Sequence, residues 1–273
     1  MSVENNNLFV YQSSPFDEHK TYSTTIRLTS DGLSVFAACN KNLEYAAAYQ
    51  WAKSKVMADF SQAVNSVKQC DAFLKNIHGD IHLLLEDEGY TLVPQSLFVE
   101  TELKGYLANF IEPDKMNCGT AVCSEIDKVE VVSLINNALM EAAKSVFPNA
   151  EVKSYTQALL AYANGVRPKS KDYSLVISMS SGYFDVVIKK RGQLHFFNRF
   201  AFSTKEDFVY FLIMALQNLE IKNTDMEISL LGEINPQSSI TEMLNRYFSE
   251  VGFVQSDREY TWTYHRYCVE QNY

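Results

Sequence analysis

YSLVISMSSGYFDVVIKKRGQLHFFNRFAF, residues 173–202, decides how the rest of the chain is read. Three runs rich in β-branched and aromatic residues, Tyr173 to Met179, Phe184 to Ile188 and Leu194 to Phe202, are separated by Ser180-Ser181-Gly182 and by Arg191-Gly192. Glycine-bearing turns between such runs predict an antiparallel three-stranded meander. Ser203 or Thr204 then caps a helix, with Asp207 placed to complete a capping-box-like start. That helix carries Phe208, Val209, Phe211, Leu212, Ile213, Ala215, Leu216 and Leu219, nearly all round. Burial on more than one side is expected, as for a helix wedged between two sheets. Met226 to Leu231 is a short strand of the doubly covered kind. Gly232 to Pro236 turns into a helix with Ile240, Leu244, Phe248 and Val251, and a last strand covers about Gly252 to Gln255.

The same order occurs earlier. In TTIRLTSDGLSVFAACNKNLEYAAAYQW, residues 24–51, Ile26, Leu28, Val35, Ala37 and Cys39 alternate with more polar residues around Asp31-Gly32. Asp-Gly between alternating runs is a strong hairpin signal, because glycine accepts positive φ. A third strand covers Glu44 to Trp51, and Met57, Phe60, Val64, Val67, Cys70, Leu74 and Ile77 form one helical stripe ending at His78-Gly79. Ile81 to Leu85 is the buried strand again. Residues 24–85 and 173–231 thus repeat one α/β pattern at an offset of about 145–150 residues, as a duplicated architecture with insertions does.

Between the copies the spacing predicts strands at Tyr90 to Val93, Thr120 to Ile126, Val129 to Ile135 and Glu151 to Tyr155. Helices are predicted at Glu100 to Phe110, Asn136 to Phe147 and Gln157 to Ala163. Val166 to Lys171, with its proline and basic residues, is the best linker. The domain reading is an N-terminal arm at 1–22, a first half at 23–165, a second at 166–255, and a C-terminal aromatic tail at 256–273 packing on the body. Within the tail, strand alternation puts Tyr260, Trp262 and Tyr264 on one side.

The chain has 273 residues, enough for one large domain or two ordinary ones, and 47% of them are hydrophobic, enough for sizeable cores. A net charge of −9 argues against a general nucleic-acid binder, which needs clustered Lys and Arg. The N-terminus lacks the basic start and apolar core of a secretory signal, and no apolar run approaches the ~20 residues that cross a bilayer. Five scattered cysteines, odd in number and without a CxxC pair, read as small reduced side chains of a cytoplasmic protein. His78-Gly79-Asp80-Ile81-His82 lies at a helix-to-strand junction and reads as a capping loop, so no metal site is expected. There is no GxxxxGK[ST], no GxGxxG and no assignable Ser-His-Asp set.

With these elements in order, VKSYTQALLAYANG, LVISMSSGYFDVVIKKRGQLHFFNRF and ISLLGEINPQSSITEMLNRYF resemble the second half of the actin-like proteins of type IV pilus assembly, type II secretion and cell division. The whole set, VPQSLF included, also resembles a family of uncharacterised bacterial proteins of actin-like fold. The resemblance implies an α/β, duplicated RNase-H-like (actin-like ATPase) fold, two halves flanking a central crevice. It also locates the chemistry. Catalytic members carry an Asp at the tip of the first strand of each half, working with Mg²⁺, and metal needs hard charged oxygens. Those positions fall here on Arg27-Leu28-Thr29 and Ser178-Met179-Ser180, and the Gly-Gly adenosine loop falls on Gly232-Glu233. None of these segments offers the carboxylate or the bare backbone that the chemistry uses.

What remains is a degenerate nucleotide crevice of Thr29, Ser30, Asp31, Gly32, Ser178, Ser180, Ser181, Gly182, Gly232 and Glu233. Hydroxyls and exposed N–H groups can hold an anion, and the same residue types are those that hairpin turns favour. The leading expectation is a cytoplasmic, non-catalytic scaffold or adaptor, monomer or dimer, with no cofactor, binding a protein partner. Membrane association would be peripheral, through that partner. The alternative is a nucleotide-binding protein or weak ATPase using ATP with magnesium. A third, a sugar- or acyl-phosphate kinase, needs a crevice carboxylate that the sequence does not assign.

Overall fold

The structure, a computed structural model, describes residues 6–40, 42–51, 60–168, 170–180, 182–232, 234, 237–249 and 251–253. By their contacts the described residues divide into two compact units, one up to Ala158 and one from Leu159.

In the first unit β1 (Asn6–Gln12), β2 (Tyr22–Leu28), β3 (Gly32–Cys39), β4 (Asn42–Gln50), β5 (Gly79–Leu85) and β9 (Glu151–Ser154) form one sheet, in the order β1-β4-β3-β2-β5-β9. β2, β3 and β4 are an antiparallel meander; β5 returns parallel to β2, and β9 lies parallel to β5. α1 (Phe60–Cys70) and α5 (Asn137–Val146) cover one face, seating Ala63, Val64, Val67, Leu139 and Ala143 on Ile26, Val35, Leu83 and Leu85. Part of the stretch read as an arm is not loose. β1 pairs antiparallel with β4 and covers what would be an open sheet edge.

A second, three-stranded sheet is inserted between β5 and β9. It consists of β6 (Asp87–Pro94), β7 (Gly119–Ile126) and β8 (Val129–Asn136), in the order β6-β8-β7. α3 (Leu103–Leu107) packs Leu107 on Val93, Val132 and Leu134. The helix expected over Glu100 to Phe110 is shorter: a 3-10 turn at Glu100–Glu102 leads into α3, and α4 (Pro113–Asn117), which the pattern did not signal, follows.

The second unit repeats the first. β10 (Tyr173–Ser180), β11 (Tyr183–Lys190) and β12 (Gln193–Ala201) are the meander, β13 (Met226–Gly232) lies parallel to β10, and β14 (Val251–Phe253) parallel to β13. Their order, β12-β11-β10-β13-β14, matches β4-β3-β2-β5-β9 strand for strand. Each unit is therefore third-second-first-fourth-fifth, the RNase-H-like arrangement, and the duplication legible in the sequence is a duplication of topology. α7 (Lys205–Asn218) has the capping box, with the Asp207 N–H donating to Thr204 Oγ1 and the Thr204 N–H to Asp207 Oδ2. It is not buried all round. Phe208, Val209, Leu212 and Leu216 enter the core with Leu244 of α8 (Ser239–Tyr247), while Tyr210 is exposed. Phe211, half-buried, stacks on Phe200 of β12 at the edge of the core. Met57, Val254, Gln255 and the aromatic tail lie outside the described residues.

The single stripe from Met57 to Ile77 is broken by Asp71, which ends α1 and caps α2 (Ala72–Asn76). Its Oδ1 accepts the N–H groups of Phe73 (2.8 Å) and Leu74 (2.9 Å). Its Oδ2 accepts the hydroxyls of Tyr45 (2.5 Å) and Tyr49 (2.6 Å), both on β4. Burial and the Asp71 charge push both phenols well above the usual tyrosine range. Asp71→Ala leaves four donors without their acceptor, so it should cost about 3–4 kcal/mol, and Asp71→Asn about half of that, because it keeps a capping oxygen. Urea unfolding of the three proteins checks the order.

His82 on β5 is buried, with Nδ1 3.2 Å from Glu151 Oε2. Burial holds its pKa below the ordinary histidine value. Glu151 and Asp80 pull it up, and Lys153 pushes it down. The unfolded chain therefore takes this proton first as pH falls, starting near pH ~6.5. Stability should decline from there toward the lower folded pKa. His82→Gln should flatten that part of the curve, as read from urea midpoints between about pH 7.5 and 5.

Candidate functional site

The β2–β3 turn holds four of the sequence-predicted residues. Its closure is local: the Thr29 N–H donates to Gly32 O at 3.0 Å, and the Thr29 hydroxyl donates to Asp31 Oδ1 at 2.9 Å. Trp51, buried at the end of β4, clamps it from outside. Its indole N–H donates to Ser30 O (3.2 Å) and its backbone N–H to Asp31 O (2.9 Å). The Ser30 N–H, which could otherwise face an anion, donates to Glu86 Oε2 at 2.8 Å. Glu86 follows β5, and its own N–H continues the parallel ladder by donating to Leu28 O at 2.9 Å. The turn is thus bonded by two carboxylates, Asp31 and Glu86, whose field opposes the approach of a polyphosphate. Gly32 is not in the left-handed region. A Cβ there would stand 2.7 Å from Tyr49 O, so close approach to β4 explains the glycine.

Arg27 opens the segment Arg27-Leu28-Thr29, at the end of β2. It is buried, with its guanidinium carbon 4.2 Å from the centre of the Tyr155 ring, a cation–π contact inside the fold.

In the second unit Ser178, Ser180 and Gly182 share the end of β10 and its turn, and Gly232 joins them because the parallel pair β10–β13 sets it beside Met179. Ser181 and Glu233 lie outside the described residues. Ser178 is fully buried and Ser180 nearly so. Across the meander Ser178 faces Asp185, and Asp185 faces Arg199. Asp185, fully buried, is held in a two-pronged pair: Arg199 Nε to Oδ1 at 2.8 Å and Nη2 to Oδ2 at 3.2 Å. The same guanidinium lies 4.4 Å from the Tyr183 ring centre. The unit therefore does contain a carboxylate one strand away from the expected position, and it is already neutralised. Among the described residues no three His, Cys, Asp or Glu side chains are grouped to hold a metal ion.

Sequence reasoning missed Glu86 and the Asp185–Arg199 pair. Glu86 lies 56 positions from Ser30 and only the β2–β5 pairing brings it there, so no local signal could have shown it. The Asp185–Arg199 contact was readable in principle, as opposite charges at matched positions of adjacent meander strands.

Gly232 has φ +88°, and a Cβ there would lie 2.1 Å from Met179 O. Gly182 has φ +83° and open space around it. Gly232→Ala should therefore destabilise the second unit by about 3 kcal/mol or more, and Gly182→Ala by about 1 kcal/mol. Thermal unfolding of the two variants compares them directly.

A crystal structure of a Bacteroides thetaiotaomicron VPI-5482 protein with an actin-like ATPase fold and unknown function is similar to the chain, with a TM-score of 0.76 and 18% identity over 93% of this chain and 98% of that one. The PilM–PilN type IV pilus biogenesis complex matches with a TM-score of 0.53 and 10% identity, over 86% and 89% of the two chains. The ethanolamine utilization protein EutJ from Carboxydothermus hydrogenoformans matches at 0.51 and 10%, over 94% and 92%. These likenesses, with the matched strand orders, make the fold that of the actin-like ATPases. No curated protein matches the chain in sequence. Residues 12–251 match the family model described as protein of unknown function (DUF3822), and the chain belongs to that family.

Proposed function

We propose that the chain is a non-catalytic scaffold or adaptor that uses an actin-like frame to bind a protein partner. One observation carries the reading: where relatives of this fold would hold phosphate and metal, the polar groups are engaged by the protein's own side chains. The Ser30 N–H is bonded to Glu86 and the Asp185 carboxylate to Arg199. Filling an anion position with an internal carboxylate disfavours a bound polyphosphate twice, by occupying the donor and by adding like charge. PilM, a neighbour in fold, is named in a complex with PilN, which supports a protein partner as the occupant of such a frame. No described helix is long and apolar enough to cross a membrane, and a cytoplasmic setting with partner-mediated membrane contact fits the reading.

The second reading is a nucleotide-binding protein or weak ATPase. It draws on the half-buried turn Thr29–Gly32, where Asp31 and Glu86 supply the hard oxygens that Mg²⁺ prefers. Calorimetric titration with Mg-ATP separates the two. The scaffold reading expects no saturable heat and no thermal stabilisation at about millimolar ligand. Saturable binding that disappears in Asp31→Ala would replace it with the second reading.

A further inference from the structure

The inserted sheet of the first unit displays apolar side chains on an ordered support. Leu97 is 67% exposed, Val99 50% and Phe110 72%. The loop that carries the first two is pinned rather than frayed. The Val99 N–H donates to the Tyr106 hydroxyl at 2.8 Å, that hydroxyl donates to Leu97 O at 2.9 Å, and the Gln95 N–H donates to Lys128 O at 3.1 Å. Between Leu97 and Val99, Phe98 turns inward and stacks on the Tyr106 ring. Phe110 lies four residues beyond Tyr106, just past α3. Leu97 and Val99 are two positions apart on this pinned loop, and with Phe110 they put three large exposed apolar side chains on the one inserted module.

Beside them stands an unbalanced set of carboxylates. Glu100 follows Val99 directly, and Glu125 and Glu130 are partners across β7–β8, a like-charge pairing that sheets normally avoid. Glu130 is only 9% exposed, and burial together with the charges of Glu125 and Glu100 pushes its carboxyl up. Among the described residues none of the three forms an ion pair or a side-chain hydrogen bond, whereas Glu44, Glu151 and Asp185 each have a cation. Residues 94–130 carry seven acidic and three basic residues, a net −4 of the chain's −9.

We propose that this face of the inserted sheet is the docking surface for a partner protein segment that combines aliphatic side chains with lysine or arginine. The aliphatic groups cover Leu97, Val99 and Phe110, and the cations settle among Glu100, Glu125 and Glu130. Glu130, 9% exposed and without a cation among the described residues, gains more from an incoming cation than a carboxylate on an open surface does. The acidic field also repels anionic membranes and nucleic acids, which leaves a basic-apolar protein segment as the complement. The proposal rests on the scaffold reading and names its surface.

The probe is a short synthetic peptide of alternating Leu and Lys, with a Leu–Glu peptide of the same length as control, both titrated into the full chain by calorimetry and by amide-shift mapping. Binding of the Leu–Lys peptide should map to the three apolar residues and weaken about tenfold or more in Phe110→Ser and in Leu97→Ser. It should also weaken in Glu130→Gln and with salt raised to about 1 M, and the Leu–Glu peptide should not bind. The exposed substitutions should leave the thermal midpoint in place, so lost binding is not lost folding. Binding that maps elsewhere, that ignores the substitutions, or that the Leu–Glu peptide shares overturns the proposal. So does a wild-type dimer that Phe110→Ser converts to monomer, which would make a second copy the occupant. Saturable Mg-ATP heat overturns the scaffold reading whatever the peptides do, and failed peptides with silent Mg-ATP overturn the surface alone.

Discussion

The first unit depends on how α6 (Tyr155–Gly165) begins. A helix start leaves its leading N–H groups without partners, and here they are buried, so the chain must supply acceptors. Ser154 and Gln157 form a reciprocal pair: the Gln157 N–H donates to Ser154 Oγ at 3.2 Å, and the Ser154 N–H donates to Gln157 Oε1 at 3.0 Å. Asp87, at the first position of β6, accepts the Thr156 N–H at 3.0 Å. Ser154 Oγ in turn donates to Ser133 of β8, and Arg27 of β2 lies over Tyr155. One helix turn therefore ties both sheets of the unit together through groups that cannot be released to water without cost. The inserted sheet is held to the main one by this polar node, as well as by its apolar contacts, and hydrogen bonds have the directionality that apolar packing lacks.

The same demand for satisfied polar groups shows at the ends of the paired strands in each unit. In each unit the first and fourth strands of the shared order pair in parallel, β2 with β5 and β10 with β13, which sets their ends side by side. In this chain its own side chains take these positions. Glu86 enters at the end of the fourth strand of the first half and takes the Ser30 N–H. In the second half a buried carboxylate and guanidinium settle each other across the meander. Gly232, which reads as a nucleotide-facing glycine, is required because the chain passes too close to Met179 for any side chain. The fold is retained, and among the described residues the Ser30 N–H and the Asp185 carboxylate are both bonded within the chain.

The two halves also differ in what was added to them. The first carries an extra edge strand, β1, and an inserted sheet with outward apolar groups. The second keeps the bare five-strand order. Elaboration of one copy of a duplicated frame puts new surface on it without disturbing the shared core, because insertions between strands four and five leave the meander and its helix intact.

The sequence by itself determined the repeated element order and the two cores, because alternation, helical spacing and glycine turns are local signals that survive without tertiary knowledge. The Thr204–Asp207 cap was readable for the same reason, and Ser154-x-x-Gln157 matches the capping-box spacing that would have set the start of α6 two residues earlier. The break at Asp71 was not legible, since the apolar stripe continues across it and the two tyrosines that hold the carboxylate come from another strand. Strand β1 read as part of an arm because its short apolar run, Leu8 to Tyr11, is flanked on both sides by polar residues and its partner β4 lies more than thirty positions away. Only the tertiary structure decided that Thr29–Gly32 is closed by Glu86 and that Leu97, Val99 and Phe110 face outward. Each depends on which strands lie side by side or which face is covered, and that is settled by long-range pairing rather than by neighbours in the chain.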